Sequence, residues 1–160
     1  MQKIKFGEIQ GNIPVPPAAV TAAARLAREE YDSAEANDFS NEAVEVHSIP
    51  NWAPALEAWW PKQALADRGY KLREGEPRDG KARQDIVVTL GVDAHVDDMH
   101  GPLLCYVLHN DGLSFKQGRV KSTPQAGDWF IFDDTVPHGV REAKGRSVFV
   151  GWTVPLVALS

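Results

Sequence analysis

The sequence predicts a mainly β domain, a sandwich or barrel of short strands with helices packed on the outside of one sheet. Three observations carry that prediction. From Asp85 onward, short apolar runs alternate with the turn signals "HNDG", "KQG", "PQAGD" and "AKG", the rhythm of strands joined by tight connections. Before Asp85, apolar residues recur at helical spacing instead. The chain has 160 residues, 43% of them hydrophobic and 24% charged, which is the size and balance of one globular domain with one core.

The elements follow in order. "PPAAVTAAARLAREEYD" predicts a helix from about residue 17 to residue 31, with Val20, Ala23, Ala24, Ala27 and Tyr31 on its apolar side. A proline near its start costs little, because a first-turn N–H has no partner inside the helix. "APALEAWWPKQALADRGY" predicts a second helical stretch, bent or interrupted at Pro61 and stopped near Gly69. Trp52, Trp59 and Trp60 are expected to close the core beneath these helices. "KLREGEPRDGKARQD", residues 71–85, is charged and rich in glycine and proline. It reads as an exposed loop, a connector or a lid. Strands are expected at 85–96, 103–109, 113–117, 128–132, 138–142 and 146–154, and one more at 43–49. The domain thus divides into a helical support at 1–84 and a β core at 85–160.

Within "DIVVTLGVDAHVD", a side-chain period of two puts Ile86, Val88, Leu90, Val92, Ala94 and Val96 on one face. Thr89, Asp93, His95 and Asp97 share the other. The strand runs into "DAHVDDMHG", which packs two histidines and three aspartates into nine positions. His95 and Asp97, two residues apart, present an imidazole and a carboxylate side by side. Two histidines and one carboxylate on one octahedral face leave three positions open, an arrangement that suits non-haem Fe(II). A distant strand must then supply the second histidine. "PQAGDWFIFDDTVPHGVREAKGRSVFVGWTV" does so: a turn, a buried strand, a second turn, and His138 opening the next strand. Further on, Arg146 begins the last strand. Its planar guanidinium matches a carboxylate bidentately, so a metal and a fixed arginine fit the two ends of a dicarboxylate.

This order of residues, "HVD", then "AGD"–strand–turn–His, then Arg on the final strand, resembles the Fe(II)/2-oxoglutarate-dependent dioxygenases, and among them the prolyl-hydroxylase-like branch. The resemblance covers roughly the last 75 residues, from Asp85 onward. It implies a double-stranded β-helix, a jelly-roll or cupin-like barrel. It implies Fe(II) on His95, Asp97 and His138, and Arg146 gripping the far carboxylate of 2-oxoglutarate. "GPLLCYVLHND" resembles the strand after HxD, so Tyr106 is expected to meet the cosubstrate. "RSVFVGW" resembles the final strand, with Trp152 on the face of Arg146 and walling the pocket. The implied reaction consumes O2 and 2-oxoglutarate, releases succinate and CO2, and hydroxylates a peptidyl, amino-acid or small-molecule substrate.

Other residues have plainer readings. His100 is a loop residue near the pair or a spare ligand. Asp93 and Asp98 are outer-shell or solvated groups. His47 and His109 have no evident partner, and Arg141 and Lys144 read as rim charges. Two rival functions stay open: a cupin-like metalloprotein that does not use 2-oxoglutarate, and a non-enzymatic barrel that binds a partner. A zinc hydrolase is a third, although one familiar type needs an HExxH motif that is missing here.

Bulk composition sets outer bounds. A net charge of -5 does not favour a broad nucleic-acid footprint. Cys105 is the single cysteine, so neither a disulfide framework nor a cysteine-rich zinc site is expected. A reducing cytoplasmic setting follows as an expectation, as does the lack of a secretory leader or a membrane span.

Overall fold

Two antiparallel sheets lie face to face, and helices cover the outer face of the larger one. The computed structural model describes residues 3–36, 44–47, 60–73, 85–97, 101–141 and 147–159. In chain order the elements are β1 (Ile9–Asn12), α1 (Pro17–Ala36), β2 (Val44–His47), α2 (Lys62–Asp67), β3 (Tyr70–Leu72), β4 (Asp85–Thr89) and β5 (Val92–His95). There follow β6 (Pro102–Asn110), β7 (Ser114–Gln117), β8 (Val120–Ser122), β9 (Asp128–Asp133), β10 (His138–Arg141) and β11 (Phe149–Ala158). The seven-stranded sheet runs β1-β9-β6-β11-β4-β2, with β3 also paired to β11; the four-stranded sheet runs β5-β10-β7-β8. This is the double-stranded β-helix.

The two faces of the large sheet separate two apolar clusters, as the period of two requires. Leu104, Tyr106 and Leu108 of β6 point to the helices, with Ile86, Val88, Trp129, Ile131, Val150 and Trp152. Leu103, Cys105 and Val107 point the other way, into the space between the sheets, where Phe130, Phe132 and Phe149 meet Leu113, Phe115 and Val140. Alternation along one strand therefore feeds two cores.

Helix α1 extends past the expected end at 31, and its buried stripe is rotated. Ala19, Ala23 and Ala27 are buried, while Val20 is exposed. Alanines at this spacing bring the helix close to the large sheet, where longer side chains would hold it off. The expected break at Pro61 stands as the start of α2, and Gly69, with φ 86°, ends the segment. Gly69 N–H donates to the Ala66 carbonyl at 3.0 Å, and its own carbonyl accepts from Leu159 N–H at 2.8 Å. Trp60 packs edge-on to Trp152 with centroids 5.0 Å apart, as its expected place under the helices requires. Trp52 and Trp59 lie outside the described residues.

The front of the chain is more than a helical support. Strands β1, β2 and β3 all join the large sheet, and β3 occupies the start of the expected loop at 71–85. Residues 74–84 of that loop lie outside the described residues. Strands β1 and β3 escaped detection because each is too short, at four and three residues, to show a period. No described helix is long and apolar enough to cross a membrane.

The expected single strand at 85–96 is two strands in two sheets. The chain turns at Leu90–Gly91, where Gly91 adopts φ 135° and its N–H donates to Thr89 Oγ1 at 2.9 Å. Glycine takes this positive φ without the steric cost that a Cβ would bring. The corner passes the chain from β4 to β5, and this crossing brings "DAHVD" over the cavity.

Candidate metal centre

His95 closes β5, His138 opens β10, and the register places them opposite each other. That pairing depends on a bulge. His138 faces His95 and Val140 faces Val92, so Asp93 and Ala94 together oppose the single residue Gly139. The extra residue breaks the period of two. Val92, expected on the face opposite His95, instead lines the cavity together with it. Asp93, Ala94 and Val96 face outward; Val96 is 53% exposed. Gly139 relieves crowding at this point: a Cβ there would lie 3.0 Å from both Ala94 N and Val92 O, tighter than most Cβ contacts.

Asp97 follows the strand and completes a triad. Its Oδ2 lies 3.2 Å from His95 Nε2 and 3.3 Å from His138 Nε2. The candidate ligand atoms of the three residues all fall within 4.8 Å of one another. The other nitrogen of each ring is already engaged. His95 Nδ1 is 2.8 Å from the Asp93 carbonyl and His138 Nδ1 is 2.9 Å from the Val136 carbonyl. A carbonyl only accepts, so each Nδ1 must carry the proton. With the rings in this tautomer, each Nε2 turns a lone pair toward the same carboxylate oxygen. Three donor atoms that converge in this way can close on a cation, and a partner on Nδ1 is how histidine ligands are held ready.

The centre is asymmetric. The His138 side chain is 7% exposed and that of Asp97 48%. His138 packs against Phe132, with ring centroids 5.3 Å apart, and against Phe115 at 6.3 Å. The open side is therefore that of Asp97 and His95. Behind the triad lies a cavity of about 280 Å³ between the two sheets. Its walls are mainly Phe115, Phe130, Phe132, Phe149, Val87 and Leu103, with Thr89, Asp85 and Thr153 as polar points. Among the described residues lining it there is no lysine or arginine.

Arg146, expected to grip a cosubstrate, lies outside the described residues, as do Asp98, His100 and Lys144. Two expectations are corrected. Tyr106 is on the helix-facing side of β6, and its hydroxyl donates to the Ile13 carbonyl at 2.6 Å. Trp152 is likewise in the helix-side core and fully buried. Parity decides both. Cys105 and Thr153 line the cavity, so their neighbours 106 and 152 must point away from it. His109 meets Asp111 at 2.9 Å, and His47 lies on β2.

Sequence reasoning missed two buried polar residues beside the triad. Asp134 and Gln117 are buried polar side chains, 2% and 4% exposed. Gln117 Oε1 accepts from Asp133 N–H at 3.0 Å, and its Nε2 donates to the Asp133 and Val136 carbonyls at 2.7 and 3.1 Å. The Val136 carbonyl thus serves both Gln117 and His138. No local signal marks Gln117, which lies on a separate strand; the "DD" before "TVPH" was the one available hint for Asp134.

No family model matches the chain, and no curated protein matches it. Solved structures do. A prolyl hydroxylase from Trichoplax adhaerens, in complex with a hypoxia inducible factor oxygen degradation domain peptide, is 14% identical, with 90% of this chain and 81% of that chain covered and a TM-score of 0.52. AviO1 from Streptomyces viridochromogenes Tue57 is 12% identical, with 96% and 90% covered and a TM-score of 0.54. A prolyl-4-hydroxylase from Pseudomonas putida is 17% identical, with 94% and 93% covered and a TM-score of 0.50. The likeness spans the helices as well as the barrel, and the fold that this chain shares with the prolyl hydroxylases is the double-stranded β-helix.

Proposed function

We propose that the protein is an Fe(II)- and 2-oxoglutarate-dependent oxygenase, with iron held by His95, Asp97 and His138. The observation that carries this reading is the convergence of two Nε2 lone pairs and one carboxylate oxygen, with both Nδ1 protons already committed to backbone carbonyls. Two histidines and one carboxylate form the donor set of non-haem Fe(II) oxygenases and leave positions open for a cosubstrate and O2. When bound, iron and 2-oxoglutarate supply oxygen activation coupled to release of succinate and CO2, with hydroxylation of the prime substrate as the usual outcome.

The chain's own residues have distinct tasks in this reading. His138, buried between phenylalanines, fixes one ligand in a dry wall. Asp97, half-exposed, marks the side from which a prime substrate approaches. The phenylalanine-lined cavity would wall the inner side of the centre against bulk water. Arg146 anchors the far carboxylate of 2-oxoglutarate. The prime substrate is a peptidyl, amino-acid or small-molecule target.

A second reading is the cupin-like metalloprotein without 2-oxoglutarate, which would use the same three converging residues and have no need of Arg146. Anaerobic titration with Fe(II) and 2-oxoglutarate separates the two. A metal-to-ligand charge-transfer band that disappears in Arg146→Ala, with iron uptake retained, is expected for the oxygenase. Iron uptake without the band in the wild-type protein would favour the cupin-like reading.

A further inference from the structure

We propose that Asp134 is a positioning residue that sets the place of Asp97 and couples the HxD segment to the turn carrying His138; the inference rests on the reading of the triad as a metal site. Asp97 lies beyond the end of β5, and its side chain is 48% exposed. Packing therefore does little to fix it, and its backbone must be held. Asp97 N–H donates to the Asp134 carbonyl at 2.7 Å. Asp134 in turn is locked to Gly101. Its N–H donates to the Gly101 carbonyl at 3.0 Å, and its carboxylate Oδ1 accepts from Gly101 N–H at 2.8 Å.

One residue thus ties both ends of the 97–101 segment. Gly101 has φ 82°, a left-handed conformation that turns its N–H toward the Asp134 carboxylate. Asp134 is 2% exposed, so little water competes for this bond. The frame continues inward. Asp134 sits in the turn that Gln117 holds through Asp133 and Val136, and Val136 orients His138 through Nδ1. A path of hydrogen bonds therefore runs from β7 through the turn to both the distal histidine and Asp97. The Asp134 side chain also borders the cavity beside the triad, without being one of the three converging donors.

Co(II) is the probe, because its visible d–d bands report ligand geometry as well as occupancy. Asp134→Ala and Asp134→Ser remove the acceptor that reaches Gly101, whereas Asp134→Asn keeps an oxygen there. We expect Co(II) affinity to fall about 10–100-fold in the Ala and Ser variants, the range seen when an outer partner of a ligand is lost. Their d–d spectrum at saturating Co(II) should shift, and Asp134→Asn should restore both properties toward wild type. A merely structural role would lower the metal-free melting temperature and leave the saturated spectrum unmoved. If Asp134→Ala does not fold, Asp134→Ser carries the same test. Wild-type affinity and spectrum in the Ala or Ser variant would overturn the clamp while leaving the metal reading intact. Failure of Asp134→Asn to rescue would overturn the acceptor role. No Co(II) uptake by the wild-type protein would remove the metal reading, and the clamp with it.

Discussion

His95 and His138 stand directly opposite each other on β5 and β10, with ring centroids 4.5 Å apart. The bulge at Asp93–Ala94 makes this possible. Without the extra residue, the parity that sends Val92 into the cavity would send His95 out of it. The bulge thus converts a strand end into half of a candidate metal site.

Removing a ligand should abolish tight metal uptake without unfolding the protein. In Asp97→Ala and His138→Ala, Fe(II) affinity should fall by more than the roughly 10–100-fold that loss of an outer partner costs. Anaerobic titration measures this, and a thermal melt checks the fold. Asp97→Ala is the cleaner variant, because Asp97 is half-exposed and His138 is buried. Undiminished Fe(II) uptake in Asp97→Ala would reject the ligand assignment.

Gly139→Ala tests the bulge. The new Cβ would crowd Ala94 N and Val92 O, both backbone atoms, which cannot rotate away. Overpacking of this kind typically costs about 1–3 kcal/mol. Metal affinity should fall with it, since the displaced segment carries His95. A denaturant melt and a Co(II) titration read the two effects. Unchanged affinity would mean that His95 is aimed by something other than the bulge.

Tyr106→Phe should cost stability and leave 2-oxoglutarate binding untouched. The lost bond to the Ile13 carbonyl is worth about 0.5–1.5 kcal/mol. The variant also changes the alkaline limb. Burial pushes the Tyr106 phenol up to about 12, so between its ordinary value near 10 and that value the unfolded chain loses its proton first. The folded state then binds more protons than the unfolded one, and stability falls as pH rises through this window. Below it the phenol is neutral in both states and contributes no slope. Denaturant melts from pH 9 to 12 should show a shallower fall in Tyr106→Phe. A large loss of 2-oxoglutarate affinity would return Tyr106 to the cosubstrate site.

Cys105 lines the cavity, yet its thiol should be slow to react. Burial pushes its pKa upward, and the thiolate is the reactive form. A chromogenic disulfide reagent should label it only on unfolding. Rapid labelling of the native protein would show that the cavity admits bulky molecules readily.

Local patterns in the sequence determined a good deal. Continuous apolar runs in "PLLCYVLHN" and "DWFIFD" mark strands whatever their partners, because a strand between two cores buries both of its faces. The convergence of His95, Asp97 and His138 was expected on another ground: metal chemistry restricts the donor types, and few residues could supply them. Tertiary structure decided which way each strand faced. Whether Tyr106 or Cys105 met the cavity depended on which sheet packed on which side, and a single bulge reversed the parity of β5. The corner at Leu90–Gly91 moved one apparent strand into two sheets. Gln117 and Asp134 became visible only when distant segments met, because a hydrogen bond between β7 and the 133–136 turn leaves no period in the sequence.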